Sequence, residues 1–281
     1  MNKKFISWED AVTWLVEQPE HQELVRQCYF DRPVIEAVRR YAASDEWSAL
    51  TRFLPSPGKA LDIGAGNGIV SFALAKQGWT VSALEPDPGQ FVGAAAIRKF
   101  ADSENLPITV AEEFGESMPW EDNEFDLVMA RKVIHHANDL TQMYKEMARI
   151  LKPGGTLIAF RDHVIDSDEG LQEFKDNHPL HNLYGGENAF RLEEYVGAIK
   201  NAGLSIANTF HQFDTVINYA PKTKADIARE ISNGFKIQPF KMAGYHLIKL
   251  PVIFPLMMKI ATMMYRKQGR LVSFICNKPT M

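Results

Sequence analysis

Residues 58–87 hold the feature that most restricts how this chain folds, a glycine-rich turn between two short apolar runs. The first run, residues 60–63, ends in Gly-Ala-Gly-Asn-Gly at 64–68, and an amphipathic helical pattern follows the turn. The second run, residues 79–84, stops at Glu85. The order strand, turn, helix, strand and acid predicts one half of a nucleotide-binding α/β unit.

Two kinds of ligand use such a unit, and the spacing of the glycines separates them. A dinucleotide site needs G-x-G-x-x-G, because its third glycine lets the helix pack close to the pyrophosphate. Here that third position is Ile69, and the pattern is G-x-G-x-G. Asp62 adds negative charge before the turn, which favours a cationic or zwitterionic ligand over a pyrophosphate. Glu85 lies roughly 20 residues after the first glycine, where a carboxylate can accept hydrogen bonds from both hydroxyls of a ribose.

Further α/β signals follow in a fixed order. Residues 106–110 predict a third strand, and Met-Pro-Trp at 118–120 begins a turn into a fourth strand that contains Phe-Asp-Leu-Val at 125–128. The sequence Arg-Lys-Val-Ile-His-His-Ala comes directly after that strand. A helical pattern over 140–151 then ends in Lys-Pro-Gly-Gly, which leads into a fifth strand at 156–160.

In this order, the segments resemble the class I S-adenosylmethionine-dependent methyltransferases, in particular bacterial small-molecule enzymes of the type 11 group. The resemblance covers residues 58–213. It implies a Rossmann-like α/β fold with a seven-stranded, mostly parallel sheet, an antiparallel last strand and helices on both faces. It also implies an enzyme whose cofactor is S-adenosyl-L-methionine.

The sequence also predicts how the chain is divided. Residues 1–57 predict an N-terminal helical cap, and residues 58–213 with 270–281 predict the methyltransferase core. Within the core, residues 161–191 predict an active-site loop in place of the usual short connection. Residues 214–269 predict a helical insertion before the last strand, where the resembled family has a tight hairpin.

The resemblance places the cofactor at the ends of the first three strands. Glu85 is expected to bind the ribose, and an acid after the third strand is expected to bind the adenine amino group. Glu113 is our choice for that acid and Glu112 is the alternative, while Phe114 would cover the adenine face. The predicted cofactor-binding residues are Asp62, Gly64, Ala65, Gly66, Glu85, Pro86, Glu113, Phe114 and Arg131.

Methyl transfer from a sulfonium is an in-line displacement, so the enzyme must position the acceptor atom roughly 3 Å from the methyl carbon. An oxygen acceptor of high pKa also needs a base or a metal ion. His163 and His136 should lie beyond the fifth and fourth strands, where either could act as a general base or orient the acceptor. Arg131 is the third predicted catalytic residue, because its guanidinium could bind the cofactor carboxylate or an anionic acceptor. Hydrogen-bonded loop histidines and an ion-paired arginine are the alternatives.

Polar and aromatic residues of the cap and the loop are the candidates for binding the acceptor. His178 and His181 could instead supply metal ligands together with His163 or Glu187. A histidine pair of this spacing in a loop is a common pattern, so we predict no metal. The predicted substrate-binding residues are Tyr29, Arg161, His178, His181 and Tyr184.

Composition bounds the partners. The net charge of −4 disfavours non-specific binding to nucleic acid, so we expect no nucleic-acid partner. Cys28 and Cys276 form no C-x-x-C pair and no disulfide framework. The first ten residues lack the apolar core of a signal peptide, so the sequence predicts a cytoplasmic protein.

The C-terminal segment differs in charge from the rest, because residues 231–281 contain basic residues and no acidic one. Three interpretations of the insertion remain open. It could be a helical cap over the acceptor, with Leu256, Ile260, Met263 and Met264 as its buried face. It could contact the inner face of a membrane through residues 236–270, where lysines meet anionic lipid. It could also form a homodimer contact.

We therefore predict methyl transfer from S-adenosyl-L-methionine to a small molecule, with oxygen the expected accepting atom. The alternatives are a protein that binds S-adenosylmethionine without catalysis and a C- or N-methyltransferase that acts on a lipid-like acceptor. A nicotinamide-dependent oxidoreductase is a further rival, which the missing third glycine argues against.

Overall fold

An eight-stranded mixed sheet runs through the computed structural model, which describes residues 5–233 and 238–280. Seven strands lie side by side in the order β3-β2-β1-β4-β5-β8-β7, and β6 pairs with the end of β5. The strands are β1 (Lys59–Ile63), β2 (Thr80–Leu84), β3 (Ile108–Ala111), β4 (Phe125–Arg131), β5 (Leu151–Ile165), β6 (Phe190–Arg191), β7 (Ser205–His211) and β8 (Arg270–Asn277).

Strand direction agrees with the predicted fold. The pairs β1–β2, β2–β3, β1–β4 and β4–β5 are parallel, and β8 is antiparallel to both β5 and β7. The sequence runs outward from β1 in both directions, so the order reverses between β1 and β4. Open α/β sheets bind ligands in the crevice at such a switch point, outside the carboxyl ends of the strands. The Rossmann-like prediction is confirmed, and the eighth strand is the two-residue β6.

Helices cover both faces of the sheet, because strands buried on two sides carry apolar residues on each side. One core cluster contains Tyr144 and Phe274, and the other contains Leu74 and Trp79. The helices are α1 (Trp8–Glu17), α2 (Gln22–Cys28), α3 (Val34–Ala42), α4 (Asp45–Leu50), α5 (Ile69–Lys76), α6 (Ala94–Ser103), α7 (Leu140–Ile150), α8 (Asp168–Asn177), α9 (His181–Tyr184), α10 (Leu192–Asn201), α11 (Val216–Tyr219), α12 (Lys224–Asn233), α13 (Gln238–Ile248) and α14 (Ile253–Met264).

The predicted N-terminal cap is helical and shares the core of the sheet. Ser7 accepts a hydrogen bond from the backbone N–H of Asp10 and so caps α1, and Ser44 caps α4 in the same way. Tyr41 and Trp47 of α3 and α4 belong to the same buried cluster as α5. The second half of the cap is therefore packed against the glycine unit that follows it in sequence.

The predicted loop over 161–191 is mostly regular structure, which corrects the prediction. β5 continues to Ile165, because its backbone pairs with β8 at Asp162 and His163. α8, α9 and β6 occupy most of the remainder. The polar residues expected on a loop thus begin on a strand, whose ladder fixes the direction of their side chains.

The insertion over 214–269 is helical where the structure describes it, but its buried face is not the predicted one. Phe254 and Met258 of α14 pack with residues of α11–α13, whereas the predicted face of Leu256, Ile260, Met263 and Met264 is exposed. Phe254 and Met258 are four residues apart, so they share one side of the helix and leave the other side unpacked. Among the described residues no single helix is long and apolar enough to cross a bilayer, but Met242–Ile248 and Ile253–Met264, bent by 98°, meet both criteria together.

Candidate functional site

A cavity of about 600 Å³ opens at the carboxyl ends of the parallel strands, within the roughly 300–1,000 Å³ typical of ligand sites. It is lined at once by the glycine turn after β1, by Glu85 after β2 and by four histidines. Residues from the cap complete the wall. Predicted site residues on this wall are Asp62, Gly64, Ala65, Gly66, Glu85, Pro86, Glu113, Phe114, Arg131, His136, His163, His178 and Tyr184.

The first two glycines of the turn do different things, although both have left-handed backbone angles. Gly64 has φ +59°, and a Cβ there would lie 2.1 Å from the Val133 side chain. Gly66 has φ +56°, but a Cβ there would meet no atom within 4 Å. Because Gly66 also lines the cavity, its bare Cα leaves room for a ligand to approach the backbone.

Glu85 connects the turn to the end of β2. Its Oε2 accepts a hydrogen bond from the backbone N–H of Gly66 at 2.6 Å, and its Oε1 accepts one from Asp87 at 3.0 Å. Burial raises the pKa of Glu85 to about 7, although these two N–H groups favour the ionised form. A carboxylate has about four acceptor positions, so two remain for ligand hydroxyls. This matches the carboxylate that a ribose requires.

Asp62 serves the turn from the other side. Its Oδ2 accepts hydrogen bonds from the backbone N–H of Ser71 at 2.9 Å and from the Ser71 hydroxyl at 2.6 Å. Burial raises the pKa of Asp62 to about 7. The Asp62 carboxylate therefore joins β1 to α5. It also lines the cavity, but it is not the unpaired negative charge that the sequence predicted beside the ligand.

The residues after β3 resolve a choice left open by the sequence. Glu112 forms an ion pair of 2.5 Å with Arg98 and is not among the cavity-lining residues. Glu113 and Phe114 both line the cavity, and Phe114 is 63% exposed. Of the two acids, only Glu113 lies on the cavity wall, where the prediction expects the acid that binds adenine, and the exposed Phe114 ring lies beside it in sequence.

Arg131 and Arg161 are held by one acid of the cap. The Nε of Arg131 lies 2.7 Å from Oε1 of Glu46, and Nη1 of Arg161 lies 3.0 Å from Oε2 of the same residue. Arg161 also donates to the carbonyl of Ile217 at 2.8 Å and does not line the cavity, where a substrate-binding role would require it to lie. Arg131 reaches the cavity wall, but its fork is occupied by Glu46.

Tyr29 of the cap is buried in the core, although the residues on either side of it line the cavity. That ring packs edge-on against Tyr41 with centroids 5.1 Å apart, and the carbonyl of Tyr29 accepts a hydrogen bond from Asn67 at 2.6 Å. Cys28 and Phe30 line the cavity in its place. Tyr29 ends α2 with φ +60° and is buried in the core, so its two neighbours, and not Tyr29 itself, lie where the acceptor contact was predicted.

Histidines from three segments meet on the cavity wall. His135 Nδ1 lies 2.9 Å from Oδ1 of Asp162, and His135 Nε2 lies 3.7 Å from Oε2 of Glu187. His136 Nδ1 lies 3.0 Å from the carbonyl oxygen of Gly186. The rings of His135 and His163 are packed edge-on at 4.7 Å between centroids.

The two predicted bases are neutral rather than poised to titrate near pH 7. Burial, with the neighbouring His135, lowers the pKa of His136 to about 4. Burial also holds the pKa of His163 well below its usual value, and its Nδ1 lies 2.7 Å from the Gly269 carbonyl oxygen. Since a carbonyl only accepts, each of these rings carries its proton on Nδ1 and offers Nε2 as an acceptor.

His135 was not among the predicted site residues, and Glu187 was considered only as an alternative metal ligand, yet these two residues form the centre of the cluster. Burial would lower the pKa of His135, yet Asp162 and Glu187 raise it. Burial would raise the pKa of Glu187, yet the surrounding imidazoles hold it well below its usual value. The sequence Asp162-His163 was the available signal for this cluster. It was missed because the fifth strand was predicted to end at residue 160, whereas β5 continues to Ile165.

Of the three remaining predicted substrate residues, two line the cavity and one does not. Tyr184 lines the cavity and donates its hydroxyl to Oε1 of Glu187 at 2.5 Å. His178 lines it too, with Nδ1 3.5 Å from the same oxygen. His181, one turn further along the chain, is not among the lining residues. The predicted His178–His181 pair therefore does not converge on the cavity.

Comparison with known proteins finds methyltransferases, both by a family model and by curated relatives. Residues 61–159 match the family described as a methyltransferase domain. A ubiquinone biosynthesis O-methyltransferase from Methylobacterium is 27% identical over 175 residues, which are 57% of this chain and 69% of that protein. A sterol 24-C-methyltransferase from Gibberella zeae is 32% identical over 154 residues, which are 53% of this chain and 40% of that protein.

A solved structure extends the likeness to the fold. Geranyl diphosphate C-methyltransferase from Streptomyces coelicolor, in complex with geranyl diphosphate and S-adenosyl-L-homocysteine, has a TM-score of 0.58. The match covers 95% of this chain and 87% of that one at 13% sequence identity. The curated relatives are matched over only 40 to 69% of their own lengths. Residues 61–159 thus form a methyltransferase domain, and the chain as a whole has the fold of the class I S-adenosylmethionine-dependent methyltransferases.

Proposed function

We propose that this protein transfers the methyl group of S-adenosyl-L-methionine to a hydroxyl oxygen of a small molecule. The observation that carries the proposal is the single cavity shared by the Gly66–Glu85 pair and by the histidine cluster. One part of its wall has the chemistry of a nucleoside site, and another part has hydrogen-bonding groups suited to a hydroxyl.

The residues present fit the cofactor. Gly66 leaves open space beside the turn, Glu85 has two acceptor positions left for ribose hydroxyls, and Glu113 with Phe114 can meet an adenine. When bound, the cofactor supplies an electrophilic methyl group on a sulfonium. The chain's own task is then to hold an acceptor atom in line with that group and to exclude water.

The cavity wall offers acceptors of hydrogen bonds for an incoming hydroxyl. The Nε2 atoms of His136 and His163 are lone-pair acceptors, because both rings keep their proton on Nδ1. Glu187 adds a carboxylate that stays ionised. Methylation at carbon also releases a proton that such groups can accept. The polar wall supports oxygen because a hydroxyl can in addition form hydrogen bonds to these groups before it reacts. The relatives of this chain include both an O- and a C-methyltransferase, so the accepting atom has to be measured.

The acceptor can be found with labelled cofactor. The protein is incubated with S-adenosylmethionine that carries a deuterated methyl group and with a fractionated small-molecule extract, and mass spectrometry finds products that gain the label. Fragmentation of the labelled product then identifies the atom that carries the methyl group. We expect an O-methyl product whose formation falls at least tenfold in His136→Gln, while Glu112→Gln, a change outside the cavity, has no effect.

Two outcomes would contradict the proposal in different ways. Binding of S-adenosylhomocysteine without any labelled product across acceptor classes would indicate a protein that binds the cofactor without catalysis. A label on carbon or nitrogen of an apolar acceptor would indicate the alternative methyltransferase class.

We also propose that the helical insertion lies on an anionic membrane surface, which would place the protein at the inner face of the membrane. Val252, Met263 and Met264 are 82%, 65% and 75% exposed, and the exposed cations Lys249, Lys259, Arg266 and Lys267 lie near them in sequence. Exposed apolar residues among lysines suit an interface with anionic lipid. No described residue of the insertion lines the cavity, which argues against a cap over the acceptor.

Flotation with vesicles tests the membrane proposal. The protein should float with vesicles that contain phosphatidylglycerol at low salt, and Met263→Glu with Met264→Glu should abolish flotation. Trp14→Glu removes an exposed apolar residue outside the insertion and should leave flotation unchanged. The membrane proposal is contradicted if the unaltered protein does not float with these vesicles. A stable dimer that the double variant dissociates would instead assign the exposed apolar residues to a contact between subunits.

A further inference from the structure

We propose that His135, His136 and Glu187 form the binding site for one divalent transition-metal ion of the zinc type. One ligand atom of each residue lies within 4.8 Å of the others, and all three residues line the cavity. Two imidazoles and one carboxylate are a donor set that binds zinc with one position left open.

The tautomers of both histidines suit metal binding. His135 donates its Nδ1 proton to Asp162 at 2.9 Å, and His136 donates its Nδ1 proton to the carbonyl of Gly186 at 3.0 Å. Each ring therefore directs the lone pair of Nε2 away from its partner. Histidine ligands in metal sites almost always donate their other ring proton to a carboxylate or a backbone carbonyl in this manner.

Glu187 is held in the corresponding way. Its Oε1 accepts the hydroxyl proton of Tyr184 at 2.5 Å, which leaves Oε2 toward His135. Oε2 and His135 Nε2 are 3.7 Å apart, too far for a hydrogen bond. Two ligands at about 2.1 Å from a tetrahedral ion are separated by roughly 3.4 Å, so a small shift would bring both atoms onto one ion.

The position of the site gives the ion a use. Because all three ligands line the cavity, an ion held by them would lie on the wall of the space assigned to the acceptor. A bound ion would lower the pKa of a hydroxyl that coordinates it, and with His136 and Glu187 engaged as ligands the ion would take over the activation of the acceptor. This role rests on the proposed methyl transfer, whereas the binding of the ion does not.

Metal titration of the full chain tests the proposal. The protein is dialysed against a chelator, returned to buffer and titrated with Zn²⁺, with bound metal measured by elemental analysis. Co²⁺ is then used as a spectroscopic probe of coordination. We expect one ion per chain and the intense visible absorption of Co²⁺ in a four- or five-coordinate site with imidazole ligands.

Variants connect the ion to these three residues. Glu187→Gln and His136→Gln should each weaken Zn²⁺ binding about 100-fold or more, and Asp162→Asn should weaken it roughly tenfold through His135. His21→Gln, outside the cavity, and His163→Gln, within it, should bind Zn²⁺ within a few-fold of the unaltered protein. Circular dichroism and thermal unfolding establish that each variant is folded.

Two results would overturn the metal site. One is the absence of a stoichiometric ion in the unaltered protein; a proton on His135 would then account for its position between Asp162 and Glu187. The other is unchanged stoichiometry and Co²⁺ absorption in folded Glu187→Gln and His136→Gln. Binding of S-adenosylhomocysteine is measured on the same samples, so that failure of the metal site is distinguished from failure of the methyltransferase proposal.

Discussion

The carboxylate of Glu46 in α4 lies 2.7 Å from the guanidinium of Arg131 at the end of β4, and both side chains are buried. The same carboxylate holds Arg161 of β5 at 3.0 Å. One acid of the N-terminal cap therefore compensates two buried cations at the sheet edge where the cavity opens. This ion pair joins a segment outside the recognisable core to the strands that position the histidines.

Glu46→Gln should strongly destabilise the fold, because it leaves two buried guanidinium groups without a full countercharge. Loss of one partner of a buried ion pair costs about 3–5 kcal/mol in the free energy of unfolding. Urea unfolding measures this loss. Glu124→Gln, which breaks the more exposed ion pair with Lys59, should cost less than about 1 kcal/mol. Equal losses in the two variants would show that Glu46 does not hold the cap in place.

Alanine at Gly64 should mainly reduce stability, whereas alanine at Gly66 should mainly reduce ligand affinity. Gly64→Ala places a Cβ against Val133 in a backbone that alanine disfavours, so we expect a loss of stability of more than about 2 kcal/mol. Gly66→Ala meets open space and carries only the cost of the left-handed backbone, about 1 kcal/mol. Its Cβ would fill the cradle, so affinity for S-adenosylhomocysteine should fall at least tenfold. Calorimetry and thermal unfolding measure both quantities.

The raised pKa of Asp62 predicts a pH dependence with a defined sign. Its pKa is about 7 in the folded protein against 3.8 when unperturbed, so the folded state binds more protons between these values. Stability contributed by the protonated form is present below pH 3.8 and is lost as pH rises toward 7. Asp62→Asn is neutral at every pH and can still accept from Ser71. Its stability relative to the unaltered protein should therefore rise with pH, by up to about 1.4 kcal/mol per pH unit.

Urea unfolding of both proteins at several pH values between 4 and 8 gives this difference. A difference that stays constant across the range would mean that Asp62 titrates normally in the folded protein. Groups that titrate equally in the two proteins, the histidines among them, cancel in the comparison.

The two cysteines should differ in reactivity, and a ligand should protect one of them. Cys28 lines the cavity, whereas Cys276 is fully buried in β8 and burial raises its pKa to about 12. Iodoacetamide should therefore label Cys28 in the folded protein and leave Cys276 unlabelled. S-Adenosylhomocysteine should slow the labelling of Cys28 several-fold, which peptide mass spectrometry can follow. Labelling at an unchanged rate with saturating ligand would place the ligand away from the cap.

The glycine unit and the sheet were predictable because their signals are local. The positive φ of the turn, the position of Glu85 and the apolar strands each depend on a few adjacent residues. The choice of Glu113 over Glu112 needed the structure, because only the contact with Arg98 separates the two acids. Local patterns thus identified residues that the fold brings to one cavity wall, with Glu112 and Glu113 left to be distinguished.

The other half depends on contacts between residues far apart in sequence. Arg161 was predicted at the cavity, but Glu46, 115 residues away, turns it inward. His135, Asp162 and Glu187 come together only through β5 and the segment before β6. The predicted buried face of the insertion was wrong for a related reason. Both faces of α14 carry apolar residues, so only the packing shows which face is buried. A single sequence contains no local signal for these pairings.

Binding of S-adenosylhomocysteine tests the central claim, that the turn after β1 and Glu85 form a site for this nucleoside. Isothermal titration should give micromolar affinity for the unaltered protein and no binding of NAD. Glu85→Ala should weaken S-adenosylhomocysteine binding by roughly 2–3 kcal/mol through the loss of two charge-assisted hydrogen bonds, whereas Glu112→Ala should leave it unchanged. Equal affinity in folded Glu85→Ala, or preferential binding of NAD, would contradict the account.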